Sequence, residues 1–542
     1  MKYDAVVVGA GFAGMYMLHR LRKLGFSVRV LEAGGGVGGT WYWNRYPGAR
    51  CDVQSLDYSY SFDEDLQQEW EWSEKYATQP EILRYANHVA DRFDLRRDIQ
   101  FDTRVESARF VQSTNTWQIE NDGGDVLSCQ FYIMASGCLS VPKAIGIPNH
   151  EAFKGSAYHT ANWPPEGVDF TGQRVAVIGT GSSAIQTMPI VAKQAAELTV
   201  FQRTPAFSLP AFNRALSTEE VADRKAVYTE HREKARYSLF GIPDTDMAHG
   251  AFDVSDEERD AAYERAWQTG TLNDILTSFN DLLVNQQAND TAAEFVRNKI
   301  RSIVKNPDTA EILCPKHFPF GTKRACLDTG YYEMFNAPHV RLVDLRQTPL
   351  VSVTAAGIKT SSTEYDFDSI IFATGFDAMT GAIVSVDIRG AGGLPLKDKW
   401  SAGPRTYLGL CIAGFPNLFT VTGPGSPSVL TNMMTSIEQH VDWIAECMTF
   451  MRDEGHAVIE ASEQAETAWV EHVNEVADAT LFPVANSWYM GANVPGKPRV
   501  FMPYIGGFGA YHEKCDEVAG NTYDGFQFSG AVAKAEQPAS AG

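Results

Sequence analysis

The chain has 542 residues, with 46 Lys plus Arg set against 67 Asp plus Glu, for a formal charge of −21. With 44% hydrophobic and 21% charged residues it can bury a sizeable core, which excludes wholesale disorder. The acid excess excludes nucleic acid or an anionic membrane surface as the main partner, and the length fits three or four domains rather than one.

In chain order, the first expected element is the apolar strand of MKYDAVVVGAG. No basic n-region or cleavage site precedes it, so no secretory signal is expected. No stretch approaches 18 consecutive apolar residues, so no transmembrane helix is expected either. The eight cysteines are scattered without a C-x-x-C pair, which suits reduced thiols in a cytoplasmic protein rather than disulfides or a metal site.

That first strand breaks at a glycine turn and resumes as a helix: AVVVGAGFAG, Ala5 to Gly14. The pattern returns 170 residues later as VAVIGTGSSA, Val175 to Ala184. Gly9 and Gly179 permit the tight turn. Gly11 and Gly181 let the backbone approach a pyrophosphate seated on the helix N-terminus, and Gly14 or Ala184 packs helix against strand.

The two copies differ where the nucleotide is chosen. Twenty-three residues after Gly9 stands Glu32, a carboxylate that can accept from a ribose diol; twenty-three after Gly179 stands Gln202, followed by Arg203 and Thr204. The first site therefore reads as FAD. The second, with a guanidinium to meet a 2′-phosphate, reads as NADPH. Its turn adds Thr180, Ser182, Ser183 and Gln186 to the cofactor-binding candidates.

The layout that follows is an α/β fold of two Rossmann-like dinucleotide-binding domains with a helical insertion. Residues 1–139, closed by the strand FYIMASG, form the first part of the FAD domain, and 140–210 begin the NADP domain. The stretch 211–318 is the insertion; from Asn213 to Val304 it holds one proline and three Ser/Thr-x-x-Glu capping boxes, Ser217/Glu220, Ser255/Glu258 and Thr291/Glu294. Residues 319–380, closed by SIIFATGFD, complete the NADP domain. The FAD domain resumes over 381–528, with helices around Ile437–Met448 and near 460–478, and 529–542 is expected to be a disordered tail.

NADPH beside FAD means hydride transfer to flavin. Passing electrons on to a disulfide would need a close cysteine pair, and only Cys51 lies near that region, so oxygen or a redox partner remains.

Here a resemblance becomes specific. FKGSAYHTANWP, carrying Phe153, Gly155, His159 and Trp163, resembles the F-x-G-x-x-x-H-x-x-x-W fingerprint of Baeyer–Villiger monooxygenases. Gly39-Thr40-Trp41, Tyr46-Pro47-Gly48 and Asp52 resemble that family's second motif, and Pro319 to Asn336 resembles its essential Lys-Arg segment. The match looks closest to the phenylacetone and steroid monooxygenase branch. It implies conversion of a ketone to an ester or lactone with NADPH, oxygen and a flavin C(4a)-peroxide.

A fixed cation in a dry site would keep that negatively charged adduct from collapsing, and an arginine cannot be neutralised by burial. The resemblance points to Arg324 for this role and to Asp52 as the carboxylate that holds it. It also implies Lys323 at the NADP 2′-phosphate, Trp41 and Tyr58 around the flavin, and Trp488 closing over NADP. Ser428, Val429 and Leu430 would form a substrate-pocket bulge, while His159 belongs to a linker and no metal is expected. The expected partners are a small-molecule ketone and molecular oxygen, with the protein a monomer or weak oligomer. Two alternatives stand beside this reading: an N-hydroxylating or sulfur-oxidising flavin monooxygenase, and a non-catalytic flavoprotein redox sensor.

Overall fold

Two sheets, each wound around one of the glycine turns, organise the computed structural model, which describes residues 2–243 and 247–531. In the first sheet Leu418–Thr420, Val126–Met134, Lys2–Val8, Val28–Leu31 and Ile99–Gln100 run parallel in that order. The first half of Val126–Met134 pairs instead with the antiparallel hairpin Val105–Val111/Thr116–Asn121, to which Asp387–Arg389 adds an edge. The chain thus returns to the first sheet after leaving the second. Residues 5–7 are wholly buried, as expected of a parallel strand covered on both faces.

The second sheet is parallel throughout, in the order Val340–Asp344, Glu197–Gln202, Arg174–Ile178, Ser369–Phe372, Ser156–His159. The His159 linker is therefore its edge strand. Gly155 is demanded there, because a Cβ would stand 2.5 Å from the Asp368 carbonyl oxygen. Phe153 is buried, and Trp163 is buried against Tyr158 and Phe170. The fingerprint residues Gly155, Phe153 and Trp163 build this part of the fold.

Helices Thr218–Ala226, Tyr228–Arg236, Asp256–Thr269, Gln286–Ile303 and Pro307–Leu313 lie between the second sheet's strands in sequence. The boxes at Ser217/Glu220 and Ser255/Glu258 form with both reciprocal hydrogen bonds. The box expected at Thr291/Glu294 does not form. Asn285 caps that helix six residues earlier, and the Thr291 hydroxyl donates to the Ala288 carbonyl inside it. The spacing of Phe295, Val296, Ile300, Ile303 and Val304 puts them on one face of this helix; Val296, Ile300 and Val304 are buried, while Phe295 and Ile303 are half-buried.

The expected tail also needs correction. Ser529, Gly530 and Ala531 end the strand Phe526–Ala531, which pairs antiparallel with His456–Ala461. The rest of that stretch lies outside the described residues. Helix Met433–Glu454 contains the expected Ile437–Met448, and Glu463–Asp478 contains the polar helix. Among the described residues no helix is long and apolar enough to cross a membrane.

Candidate active site

The two glycine turns are built alike. Gly9 has φ +101° and a Cβ there would stand 2.7 Å from the Ala135 oxygen; Gly179 has φ +119° and its Cβ would stand 2.4 Å from the Ala373 oxygen. In both, the obstructing carbonyl belongs to the residue that follows the neighbouring strand. A Cβ on Gly14 would overlap the Gly9 oxygen at 1.8 Å, whereas Ala184 is accommodated fully buried at the corresponding place.

Both turns also fit a dinucleotide. Helices Phe12–Lys23 and Ser182–Gln194 have neither a side-chain cap nor an acidic residue in the first turn, so their leading N–H groups are left for an anion. Gly181 has φ −85° and open space where a Cβ would be, so neither strain nor packing requires glycine, and the position leaves room for a ligand to approach the backbone. Gly11 faces Gly39, with 3.5 Å from its would-be Cβ to the Gly39 Cα.

Glu32 closes the first turn, its carboxylate accepting from the N–H of Ala10 at 2.6 Å and of Gly34 at 2.7 Å. Burial raises its pKa despite those two bonds. At the second turn the Thr180 hydroxyl donates to the Thr204 carbonyl at 2.6 Å, and Ser182 Oγ lies 3.2 Å from Cys326 Sγ. Thr160 donates to Ser183 Oγ at 3.4 Å. Gln186 is committed between the two units: its oxygen accepts from the Tyr46 hydroxyl at 3.0 Å and its nitrogen donates to the Arg50 carbonyl at 3.1 Å. Arg203 is exposed, and Lys323 lies over the Phe318 ring at 4.6 Å. Burial first and Arg203 second lower the Lys323 pKa.

Arg324 and Asp52 meet across 272 residues. Arg324 Nε donates to Asp52 Oδ2 at 2.9 Å and Nη2 to Oδ1 at 2.8 Å, a bidentate fork, while Nη1 donates to the Val429 carbonyl at 2.9 Å. Burial works against the guanidinium charge, but the Asp52 charge and hydrogen bonds outweigh it and raise the Arg324 pKa.

Both residues line a cavity of about 250 Å³. Phe240, Ile242, Leu272 and Leu430 give it an apolar wall; Asp57, Arg224, His231 and Asp274 give it a polar one. Asp57 Oδ1 accepts from Arg224 at 2.8 Å and lies 2.5 Å from His231 Nε2. Burial would raise the Asp57 pKa, yet the His231 hydrogen bond and the Arg224 charge leave it lowered.

The remaining expectations divide. Trp41 Nε1 donates to the Tyr58 hydroxyl at 3.1 Å and both residues are buried, whereas Thr40 is exposed. Of the three bulge residues Leu430 lines the cavity beside Arg324; Ser428 and Val429 are buried, and Val429 contributes its carbonyl instead. Trp488 is half-buried, with its ring 4.2 Å from that of Tyr489. Its loop is tied down by Asn493 donating to the Phe376 carbonyl and by Lys497 bonding Asp377. His159 Nε2 lies 3.0 Å from the Thr374 hydroxyl, and Nδ1 accepts from the Ala161 N–H. Its pKa is lowered by burial and then by Lys143.

Sequence reasoning missed Tyr489, which shares a pocket with Arg324 and has its hydroxyl pushed up to about 12 by burial. Adjacency to Trp488 was the only signal for it. Among the described residues no group of His, Cys, Asp and Glu could hold a metal ion, and all eight cysteines are free and buried.

Residues 6–221 match the family described as pyridine nucleotide-disulphide oxidoreductase. A Baeyer–Villiger monooxygenase of Pseudooceanicola batsensis is 42% identical over 527 residues, covering 96% of this chain and 95% of the relative. An oxidized steroid monooxygenase bound to NADP superposes with TM-score 0.94 at 52% identity, covering 97% of this chain and 99% of that one. A complex of OTEMO with FAD and NADP superposes equally well, TM-score 0.94 at 41% identity, again over 97% and 99%.

Proposed function

Because the chain belongs to the Baeyer–Villiger monooxygenases, the family of a relative 42% identical over nearly its whole length, we propose that Arg324 is its charge-stabilising catalytic residue and Asp52 the residue that positions it. The enzyme is an NADPH- and oxygen-dependent FAD monooxygenase that inserts one oxygen atom beside a ketone carbonyl, giving an ester or lactone. One atom of O2 enters the product and the other leaves as water while NADPH is oxidised. FAD, reduced by NADPH, supplies the activated oxygen when bound.

The observation that carries the Arg324 reading is its fork. Three of the five N–H groups of an arginine are engaged by Asp52 and Val429, which prevents the side chain from swinging away. A guanidinium fixed in this way stabilises developing negative charge without reorganising at the moment of reaction. Glu32 and the first turn support the FAD assignment, and Arg203 with Lys323 supports a preference for NADPH over NADH. The substrate is a small-molecule ketone received in the cavity beside Arg324. Eight free, buried cysteines support a reducing, cytoplasmic setting, and we read the enzyme as a monomer or weak oligomer.

The test is Arg324→Ala, assayed for ester formed per NADPH consumed with hydrogen peroxide quantified in parallel. Ester formation falls by at least about a hundredfold, the scale of removing one preorganised donor. FAD stays bound and some NADPH oxidation survives as peroxide release. Asp52→Ala damages coupling less cleanly, because the arginine stays charged but is free to move. An Arg324→Ala enzyme with near-native coupling would sink the assignment.

A further inference from the structure

The Arg203 guanidinium lies within electrostatic reach of two lysines, Lys143 and Lys323. Arg203 follows the strand Glu197–Gln202, Lys323 adjoins Arg324, and Lys143 sits in the segment that joins the two nucleotide units. Among the described residues none of the three has a carboxylate within ion-pair reach, and the one charge that presses on both lysines is the Arg203 guanidinium. Both lysines are half-buried. In a chain of net charge −21, cations grouped this way repel one another with no internal anion to relieve them. The arrangement suits an anion brought from outside.

Lys143 is held at this place by main-chain bonds. Its N–H donates to the Gly375 carbonyl at 3.0 Å, Pro142 bridges Phe376, and the Asp377 N–H donates to the Val141 carbonyl at 2.9 Å. Gly375 stands two residues after Ala373, whose carbonyl packs on the Gly179 turn. Lys143 therefore stands at the mouth of that turn.

A dinucleotide offers two phosphate positions there. The pyrophosphate is served by the uncapped N-terminus of Ser182–Gln194, whereas Arg203 lies at the end of the next strand, on the adenosine side. The proximity of Lys143 to Arg203 puts the lysine with the second group.

We propose that Lys143 is a third cation of the 2′-phosphate subsite, alongside Arg203 and Lys323, and contributes to selectivity for NADPH over NADH. This rests on the reading of the second glycine turn as the NADPH site. Lys143 is a binding residue, not a catalytic one, so it acts on nucleotide affinity.

The test is equilibrium titration of the FAD-loaded, full-length protein with NADP+ and with NAD+, followed by calorimetry, for the native chain, Lys143→Gln and Lys143→Arg. The glutamine variant raises the Kd for NADP+ by about tenfold, the size of one charge-assisted contact, and leaves NAD+ unchanged. The arginine variant restores most of the affinity. Unchanged NADP+ binding in Lys143→Gln beside a selective native chain would overturn the Lys143 proposal alone. So would an equal loss for both nucleotides, which would assign the lysine to the pyrophosphate or to the fold. A native chain that bound NADP+ and NAD+ alike would overturn the NADPH reading itself and the proposal with it.

Discussion

At the first glycine turn the strand end carries Glu32, both of whose carboxylate oxygens are tied to main-chain N–H groups. At the second, the same register is taken by Gln202, which is turned inward to donate to the Ile312 carbonyl at 2.8 Å, leaving the exposed Arg203 beside it. The backbones of the two turns are near copies, down to the carbonyl that blocks a Cβ on Gly9 or Gly179. Turn geometry thus provides for a dinucleotide in general, and a few side chains at the strand end decide which one. An acidic end repels a further phosphate and a basic end attracts one.

The comparison breaks most severely if the shared geometry is attacked. Gly179→Ala places a Cβ 2.4 Å from a carbonyl oxygen at a positive φ, and we expect a stability loss of about 2–5 kcal/mol, read by denaturant unfolding. Gly181→Ala is the sharpening partner. With open space and an ordinary φ it shifts stability by no more than about 0.5 kcal/mol while still weakening NADP+ binding. Equal destabilisation by the two would show that Gly181 serves packing rather than ligand approach.

Next in size is the nucleotide choice. Arg203→Ala lowers the NADPH-over-NADH ratio of kcat/KM by about 10- to 100-fold, corresponding to a charge-assisted contact of about 1.5–3 kcal/mol. FAD content is unchanged, since nothing at the first turn has moved.

The smallest effect belongs to Glu32. Its carboxyl is raised above the ordinary Glu value, so in the FAD-free protein its contribution to stability is present at low pH and lost as pH rises through the raised value. FAD binding has the opposite preference, because ribose hydroxyls donate to the ionised form. Retention of FAD should therefore weaken as pH falls through a window above the usual Glu range, and Glu32→Gln should flatten that dependence at a cost of about tenfold in affinity. Flavin fluorescence release against pH is the measurement. A slope that persists in the Gln variant would place the titrating group elsewhere.

Much of this was legible in the residues, for local reasons. A glycine turn, a capping box and a buried apolar strand are each set by neighbours a few positions apart, and the two turns and two of the three boxes form as read. The third box failed because Thr-x-x-Glu also occurs inside helices, where the threonine bonds back along its own turn once Asn285 has started the helix upstream. Ser529 to Ala531 were misread from composition, because pairing with His456–Ala461 supplies hydrogen bonds that composition cannot register. The Asp52–Arg324 fork came only through the family resemblance, since nothing local joins residues 272 positions apart. The Val429 carbonyl and Lys143 were beyond both routes. One is main chain and carries no residue signal, and the other is a lone lysine until the fold brings it to Arg203.

The Val429 carbonyl has a practical meaning for anyone wishing to alter this enzyme. Every amino acid brings the same acceptor, so exchanging the side chain at 429 leaves the third anchor of Arg324 in place. Leu430 faces the cavity and has no such duty, which makes it the first position to diversify if that cavity receives the ketone as proposed. Ser428 offers no such freedom. Its φ is +46°, it is fully buried, and its hydroxyl donates to the Thr422 carbonyl at 3.0 Å, so a library should leave it alone. Within three consecutive residues, the cavity wall and the anchor of Arg324 fall to different atoms and can be altered separately.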